Sequence, residues 1–557
     1  MRAQVDIATP AAGSPWAVSR AVSTRRAGSR RRPDWFELLV LAAFSLASMW
    51  VLGLDVYDAS THGLVWTGTD GFYIVDQMQY LAWIQAAAHH FLVSNLFVLR
   101  PTPADYFQPA VVISAALAFL GVPAWISLLL WKPVAVVAIF YGVRAYAHRT
   151  LTGAWPRRAA LVLGLFFGSA TIIYGTPSVL GDLFPVFLSW GYTFGLLAIA
   201  MLLLALVAYE RAGAPAACPS GARAREREPS LRRLRVWIPG LLGALAGLLH
   251  PWQGEMLVVI VVGAELVGWW LTRRRPPLRL PALTVILTGL PLLYYEILGR
   301  TDLSWKLARD ASKHSFSLGT IVLAVVPLLL PALLAYRERP RTFLALATRV
   351  WPVAAFVIYF ISASSVSATP LHSFEGITVP LSILAIGGLQ RSPLRRLPGR
   401  RPLAALAVAA ATIPATLYML HSAQATVQPT PGNADFITHD EQRALHYLAK
   451  DRQRGGVLTG FYLGEAVPAE TGRRTYVGDC LWSEPDCPSR AQLVQMLFDG
   501  TLPVSTSRWV VQHLGARFVL SACDARANMY PVLAPLSASV HRFGCAAVYT
   551  LRDPGHS

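Results

Sequence analysis

Eleven apolar runs, most of them close to the about 20 residues that span roughly 30 Å of hydrocarbon, decide what this chain can become. They lie at about 35–54, 124–146, 158–176, 186–209, 236–250, 253–272, 280–298, 317–336, 346–364, 374–390 and 402–421, and the fifth and tenth are the shortest. Backbone N–H and C=O groups inside hydrocarbon must satisfy one another, so such runs fold as helices. The 557 residues are 54% hydrophobic and 14% charged, with a mean hydropathy of +0.44. That balance excludes a string of water-soluble domains. The expected fold class is a polytopic α-helical membrane protein with about 11 transmembrane helices.

Charge orders these runs across the bilayer. The net charge of +18 would point a soluble protein towards nucleic acid. Here the basic residues sit between apolar runs, so membrane topology accounts for them and no nucleic-acid partner is expected. Lys132, Lys306, Lys313 and Lys450 are the lysines; the rest of the positive charge is arginine, which with abundant Ala and Gly suggests a GC-rich bacterial genome. The N-terminal tail and the segments after every second run hold 31 Lys and Arg, among them Arg30, Arg232, Arg273 and Arg395, against five in the opposite loops. Basic residues are retained on the cytoplasmic side. The N-terminus is therefore expected in the cytoplasm, the region after about 422 outside it, and the whole in a bacterial plasma membrane.

The flanking segments fit this map. Residues 1–33 are polar and Arg-rich and are expected to form a disordered cytoplasmic tail without a cleavable signal peptide. Residues 211–235 are expected to form a flexible cytoplasmic loop. Cys218 falls there alone, whereas Cys480, Cys487, Cys523 and Cys545 fall in the C-terminal region, where an oxidising compartment allows two disulfides. Local spacing favours Cys480–Cys487 with Cys523–Cys545.

Shorter hydrophobic runs mark 433–557 as an extracytoplasmic α/β domain behind a transmembrane domain over 34–422. Asp440–Arg452, Ser489–Asp499 and Pro503–Leu514 have helical periodicity, while Gly456–Thr459, Arg517–Ser521 and Ala546–Leu551 are strand-like. Gly460–Tyr476 is glycine-rich with aromatics, a surface loop or a segment touching a sugar or the membrane.

Chemistry is expected on the outer face. The first outer loop, 55–123, is too long for a connector and carries Asp55, Asp58, Asp70, Asp76 and Asp105. Its stretch Thr67–Gln85 runs from a Gly-containing turn into an amphipathic helix expected to lie along the membrane surface. Asp76 and Tyr80 share a face at i, i+4, with Ile84 below them, and Asp76 falls in the first turn, where the helix dipole favours a carboxylate. Other polar groups gather at outer run ends: His250, Gln253 and Glu255; Asp182; Lys306 and Arg309; His372 and Glu375. Lys132 lies about eight residues into the second run, where an unpaired ammonium costs a few kcal/mol and so is expected to face a cavity or a partner.

A cytoplasmic N-terminus, a long first outer loop with an acid entering a juxtamembrane helix, many spans and an outer α/β domain resemble the GT-C superfamily of integral-membrane glycosyltransferases. Asp76-Gln-Met-Gln-Tyr80 is similar to that family's Asp-x-x-x-Tyr stretch. Many members carry a second acid beside the Asp; Gln77 stands there, and no metal or cofactor is expected. The resemblance implies transfer of a sugar from a polyprenyl-phosphate donor to a glycan, lipid or protein acceptor at the outer leaflet. It implies Asp76 as base, with Asp70 the runner-up, and Lys132, His372, Lys306 and Arg309 as candidates for the donor phosphate. Tyr80, His250, Gln253, Glu255 and Glu375 complete the expected substrate site. The alternatives are a transporter or flippase of lipid-linked sugars, and a non-enzymatic envelope assembly protein. An odd number of runs without internal repeats disfavours the transporter.

Overall fold

The computed structural model of the chain describes residues 32–171, 180–213, 222–273, 277–312, 316–363, 369–391, 400–430 and 432–552. The tail over 1–31, Cys218, Lys313 and Arg395 lie outside the described residues. Among those described, nine helices are long and apolar enough to cross a membrane, from Trp35–His62 to Pro402–Thr426. The expected runs 158–176 and 236–250 correspond to shorter apolar helices, Ala154–Phe166 and Leu234–Leu249. Residues 222–235, expected in a loop, instead begin the helix Ala222–Leu249. Arginine and glutamate are good helix formers, and alternating them here extends the apolar helix backwards.

The first span shows how the bundle is pinned. Asp34 caps it, accepting from Glu37 N at 2.9 Å while Glu37 accepts from Asp34 N at 3.0 Å, which satisfies two orphan donors. Glu37 also receives Arg144 Nε at 2.9 Å and His148 Nε2 at 2.6 Å from the far end of the span Ala124–Thr150. The helix breaks at Met49 and resumes as Trp50–His62, ending on left-handed Gly63. It therefore outruns the expected end at 54. Asp55 and Asp58 lie on this helix, not in the loop, and Asp55 is fully buried.

After residue 432 a four-stranded sheet forms in the order β3 (Val457–Leu458), β4 (Phe518–Ser521), β6 (Ala546–Leu551) and β5 (Ser537–Phe543). β3 and β4 are parallel and the other pairs antiparallel. Helices His439–Lys450, Cys487–Phe498 and Val504–His513 accompany it as the periodicity predicts. Gly460–Tyr476 departs from expectation: Phe461–Thr471 is a helix with Tyr462 to Ala469 buried. It packs against the helix Ile74–His90 of the first loop. Both disulfides form in the favoured pairing, Cys480–Cys487 and Cys523–Cys545.

One hydrophobic core runs from the spans through Met78, Leu81 and Ile84 into Leu463, Val467 and Phe518. A two-residue ladder adds a second link, β1 (Val65–Trp66) pairing antiparallel with β2 (Phe436–Ile437). The first loop and the segment after 432 thus lie on one side of the bundle.

Candidate active site

A polar clasp starts the site. Gln77 Oε1 accepts from Asp70 N at 2.9 Å and its Nε2 donates to Asp70 O at 3.1 Å. Gly191, at φ +110°, presses against this clasp; a Cβ there would lie 2.2 Å from Gln77 Nε2 and 2.7 Å from Asp70 O. Only glycine fits so close an approach with positive φ. Gln77 therefore holds the turn before the helix Ile74–His90, and its side chain is spent on backbone.

That helix is not the amphipathic surface element the sequence predicts. Met78, Leu81, Ala82 and Ile84 are buried on successive faces because the helices Pro109–Phe119 and Phe461–Thr471 cover it. Asp76 and Tyr80 are among its half-buried residues, and both line a cavity of about 680 Å³. This volume suits a small-molecule site.

The cavity has three kinds of wall. Leu249, Val258, Val259, Leu292, Ile358 and Ile361, from the span helices, form an aliphatic side. Trp83, Tyr106, Tyr295, Trp305 and Trp482 form an aromatic side, and Asp76, Glu255, Glu296, Arg300, Arg309 and His372 supply charge. Burial pushes the Asp76 carboxyl up to about 6, with His372 opposing the rise and Asp182 adding to it. A carboxylate tuned there can take a proton near neutral pH.

Behind Asp76 three donors converge. His250 Nδ1 lies 3.3 Å from Glu375 Oε2, and His372 Nδ1 lies 2.5 Å from Glu375 Oε1. Neither contact has hydrogen-bond geometry, while Gln253 Nε2 donates to Glu375 Oε2 at 3.2 Å. One ligand atom from each of His250, His372 and Glu375 falls within 4.8 Å of the others. Two imidazoles and a carboxylate are donors that suit zinc, and this set could hold a divalent ion. Tyr192 braces it, its hydroxyl 2.9 Å from His250 Nε2 and its ring stacked on His372 at 8° between planes.

Of the residues expected from sequence, Asp76, Tyr80, His250, Glu255, Arg309 and His372 line the cavity. Gln253 and Glu375 are buried just behind it, and Lys306 is exposed on the helix Leu303–Ala311. Asp70 and Lys132 form an ion pair with each other, 1% and 3% exposed, and Lys132 also donates to Ser189 O at 2.8 Å. Neither lines the cavity. Sequence reasoning offered the basic residues of 300–314, Arg300 among them, for the donor phosphate and the Trp/Tyr-rich run ends for lipid and sugar, and passed over Tyr106, Tyr192 and Trp482. Asp182, noted but not chosen, accepts from the Tyr73 hydroxyl at 2.6 Å.

No protein-family model and no curated protein matches the sequence. Solved structures do resemble the fold. The oligosaccharyltransferase of Archaeoglobus fulgidus, tethered to an acceptor peptide containing an NVT sequon, matches with a TM-score of 0.51 at 14% identity, over 90% of this chain and 70% of that one. The same organism's oligosaccharyltransferase AglB, in complex with an inhibitory peptide and a dolichol-phosphate, matches with a TM-score of 0.50 at 15% identity, over 89% and 70%. ArnT from Cupriavidus metallidurans, in the apo state, matches with 0.51 at 14% identity over 92% of this chain and 97% of that one. Theirs is the fold of this chain.

Proposed function

We propose that the chain is a membrane glycosyltransferase that moves a sugar from a polyprenyl-phosphate donor to an acceptor hydroxyl in the 680 Å³ cavity. The observation that carries this is the placement of Asp76, a carboxylate tuned to about 6, between an aliphatic wall built by apolar bundle helices and an aromatic wall whose rings, Tyr295 apart, come from outside the spans. A lipid-borne donor and a polar acceptor meet at such a boundary.

The step that follows is a displacement. The acceptor oxygen gives its proton to Asp76 Oδ and bonds to the anomeric carbon as the bond from that carbon to the phosphate oxygen breaks. Polyprenyl phosphate leaves with the electron pair, and a single displacement inverts the anomeric centre. Arg300 and Arg309 line the same cavity and offer charge to the leaving phosphate. Asp70 remains the second candidate for the base, though its pairing with Lys132 favours a structural role for both.

Eleven spans, a cytoplasmic N-terminus and an extracytoplasmic C-terminal domain in a bacterial plasma membrane complete the proposal. The 31-to-5 charge asymmetry supports that orientation, and the β1–β2 ladder, which requires an even number of crossings between residues 66 and 436, fits the ten of the eleven-span map. Membranes bearing the wild type should transfer label from a radiolabelled polyprenyl-phosphate sugar to endogenous acceptor, and Asp76→Asn should not. Transport of the intact lipid-linked sugar without transfer would favour a flippase and defeat the proposal. A reporter active only outside the cytoplasm should work when fused after Ser557 and be silent after Ser230.

A further inference from the structure

The aromatic wall gathers rings from segments far apart in sequence. Trp83 comes from the helix Ile74–His90, Tyr106 from the loop beyond it, Tyr295 and Trp305 from two successive helices, and Trp482 from the C-terminal segment. Trp305 lies 4.9 Å from Trp482 and 4.6 Å from Tyr106, centroid to centroid, and Trp83 lies 5.6 Å from Trp482 and 4.6 Å from Tyr106. Trp482 is held with particular care. The Cys480–Cys487 bridge closes its loop, Asn95 Nδ2 donates to its carbonyl at 2.8 Å, and its own N–H bonds Asp479 O at 3.1 Å. Upstream, a Cβ on Gly464 would sit 1.8 Å from Val477 O, so glycine there lets the segment leading to this loop lie against the helix Phe461–Thr471.

Polar atoms accompany the rings. Trp482 Nε1 and Asp479 Oδ2 are buried and have no hydrogen-bond partner, a costly condition in a protein interior. Burial pushes the Asp479 carboxyl up to about 8, and Asp76 adds to the rise. Flat apolar faces beside unspent donors and acceptors complement a sugar ring, which has a C–H face and a rim of hydroxyls. The polyprenyl chain finds its complement on the aliphatic wall instead.

Spacing sharpens the match. Seven residues separate Asp76 from Trp83 on one helix, about 10 Å along the axis at 1.5 Å per residue. That exceeds a single sugar ring, so a ring on the aromatic wall is a neighbour of the ring that reacts at Asp76. We infer that the acceptor is an oligosaccharide of at least two sugars, and that its penultimate ring is held on Trp83, Trp305 and Trp482, the last supplied by the disulfide-closed loop. This rests on the glycosyltransferase assignment and names its acceptor class.

The test uses the full chain in nanodiscs, with methyl-capped mono- and trisaccharides of hexopyranoses and pentofuranoses as probes and saturation-transfer NMR as the readout. At least one trisaccharide should receive saturation on the C–H protons of one ring face, and its monosaccharide should not. Trp482→Ala should weaken that binding by about tenfold, near the top of what an aromatic contact contributes, and Trp482→Phe should largely keep it. Trp305→Ala, on a different segment, carries the same expectation should the first variant fail to fold. Binding of a fluorescent polyprenyl phosphate, measured on the same samples, should be unchanged throughout. Wild type that binds polyprenyl phosphate but no trisaccharide, or trisaccharide binding indifferent to both tryptophan variants, would overturn the acceptor assignment while the donor assignment stands. Tryptophan-dependent trisaccharide binding without polyprenyl phosphate binding would support the glycan site and remove the lipid donor.

Discussion

Asp70 and Asp76 stand six residues apart in one loop and end in opposite surroundings. Asp70 is sealed at 1% exposure against Lys132, with the Gln77 clasp on its backbone. Asp76 opens onto the cavity beside His372, in the first turn of a helix. The two carboxylates divide the work: one ties the loop to the second span, the other is left available. A buried ion pair is weak evidence of net stability, yet removing one partner strands a charge and is strongly destabilising.

The widest gap should appear between the two Asn variants. Asp76→Asn should lose transfer by about 10²–10⁴-fold, the usual worth of a general base, with a melting temperature near wild type. Asp70→Asn should instead lower stability by about 3–5 kcal/mol, read by thermal melting in detergent. If Asp70→Asn melts normally but abolishes transfer, the roles are reversed.

Lys132→Met should match Asp70→Asn in size, and the double variant should be less damaged than the two single losses added together. A coupling of about 0.5–3 kcal/mol is expected for groups in direct contact. An additive double variant would mean that the pair is not closed.

The open side should answer to metal. Zinc at about 100 times its dissociation constant should stabilise the wild type by about 2.7 kcal/mol, and a chelator should reverse it. His250→Ala should abolish the response, and Lys132→Met should not. A response that survives His250→Ala would remove the ion from the His250, His372 and Glu375 set.

The smallest effect concerns pH. Transfer should fall as pH drops through about 6, where Asp76 gains a proton. His372 favours the charged carboxylate, so His372→Gln should move that midpoint upwards. An unmoved midpoint would detach His372 from Asp76.

The two aspartates also show what could be read from sequence. Asp76 was legible because a glycine turn before a helix announces a first-turn acid, and that is a local property. The sealed state of Asp70 was not legible, since Lys132, Gln77 and Gly191 reach it from separate segments. Periodicity likewise found the helix His439–Lys450 and spacing found both disulfides. It missed the helix Phe461–Thr471, whose glycines read as a loop and whose burial depends on the first-loop helix packed against it. Trp/Tyr-rich run ends were legible as places for lipid and sugar, but which rings would meet was not, since they lie on segments that only tertiary packing brings together.

The short β1–β2 ladder has a consequence in time as well as in space. Thr67 donates its hydroxyl to Ala434 O at 2.9 Å across 367 positions, and Val65 pairs with Ile437. A ribosome releases the first loop long before it makes the strand that loop requires. Until the last quarter of the chain is synthesised, the turn bearing Asp70 and the helix bearing Asp76 lack their covering strand, the Phe461–Thr471 helix and Trp482. A nascent or truncated chain can insert its spans and still lack one wall of the cavity, so the site becomes a property of the chain's last-made segment as much as of its first loop.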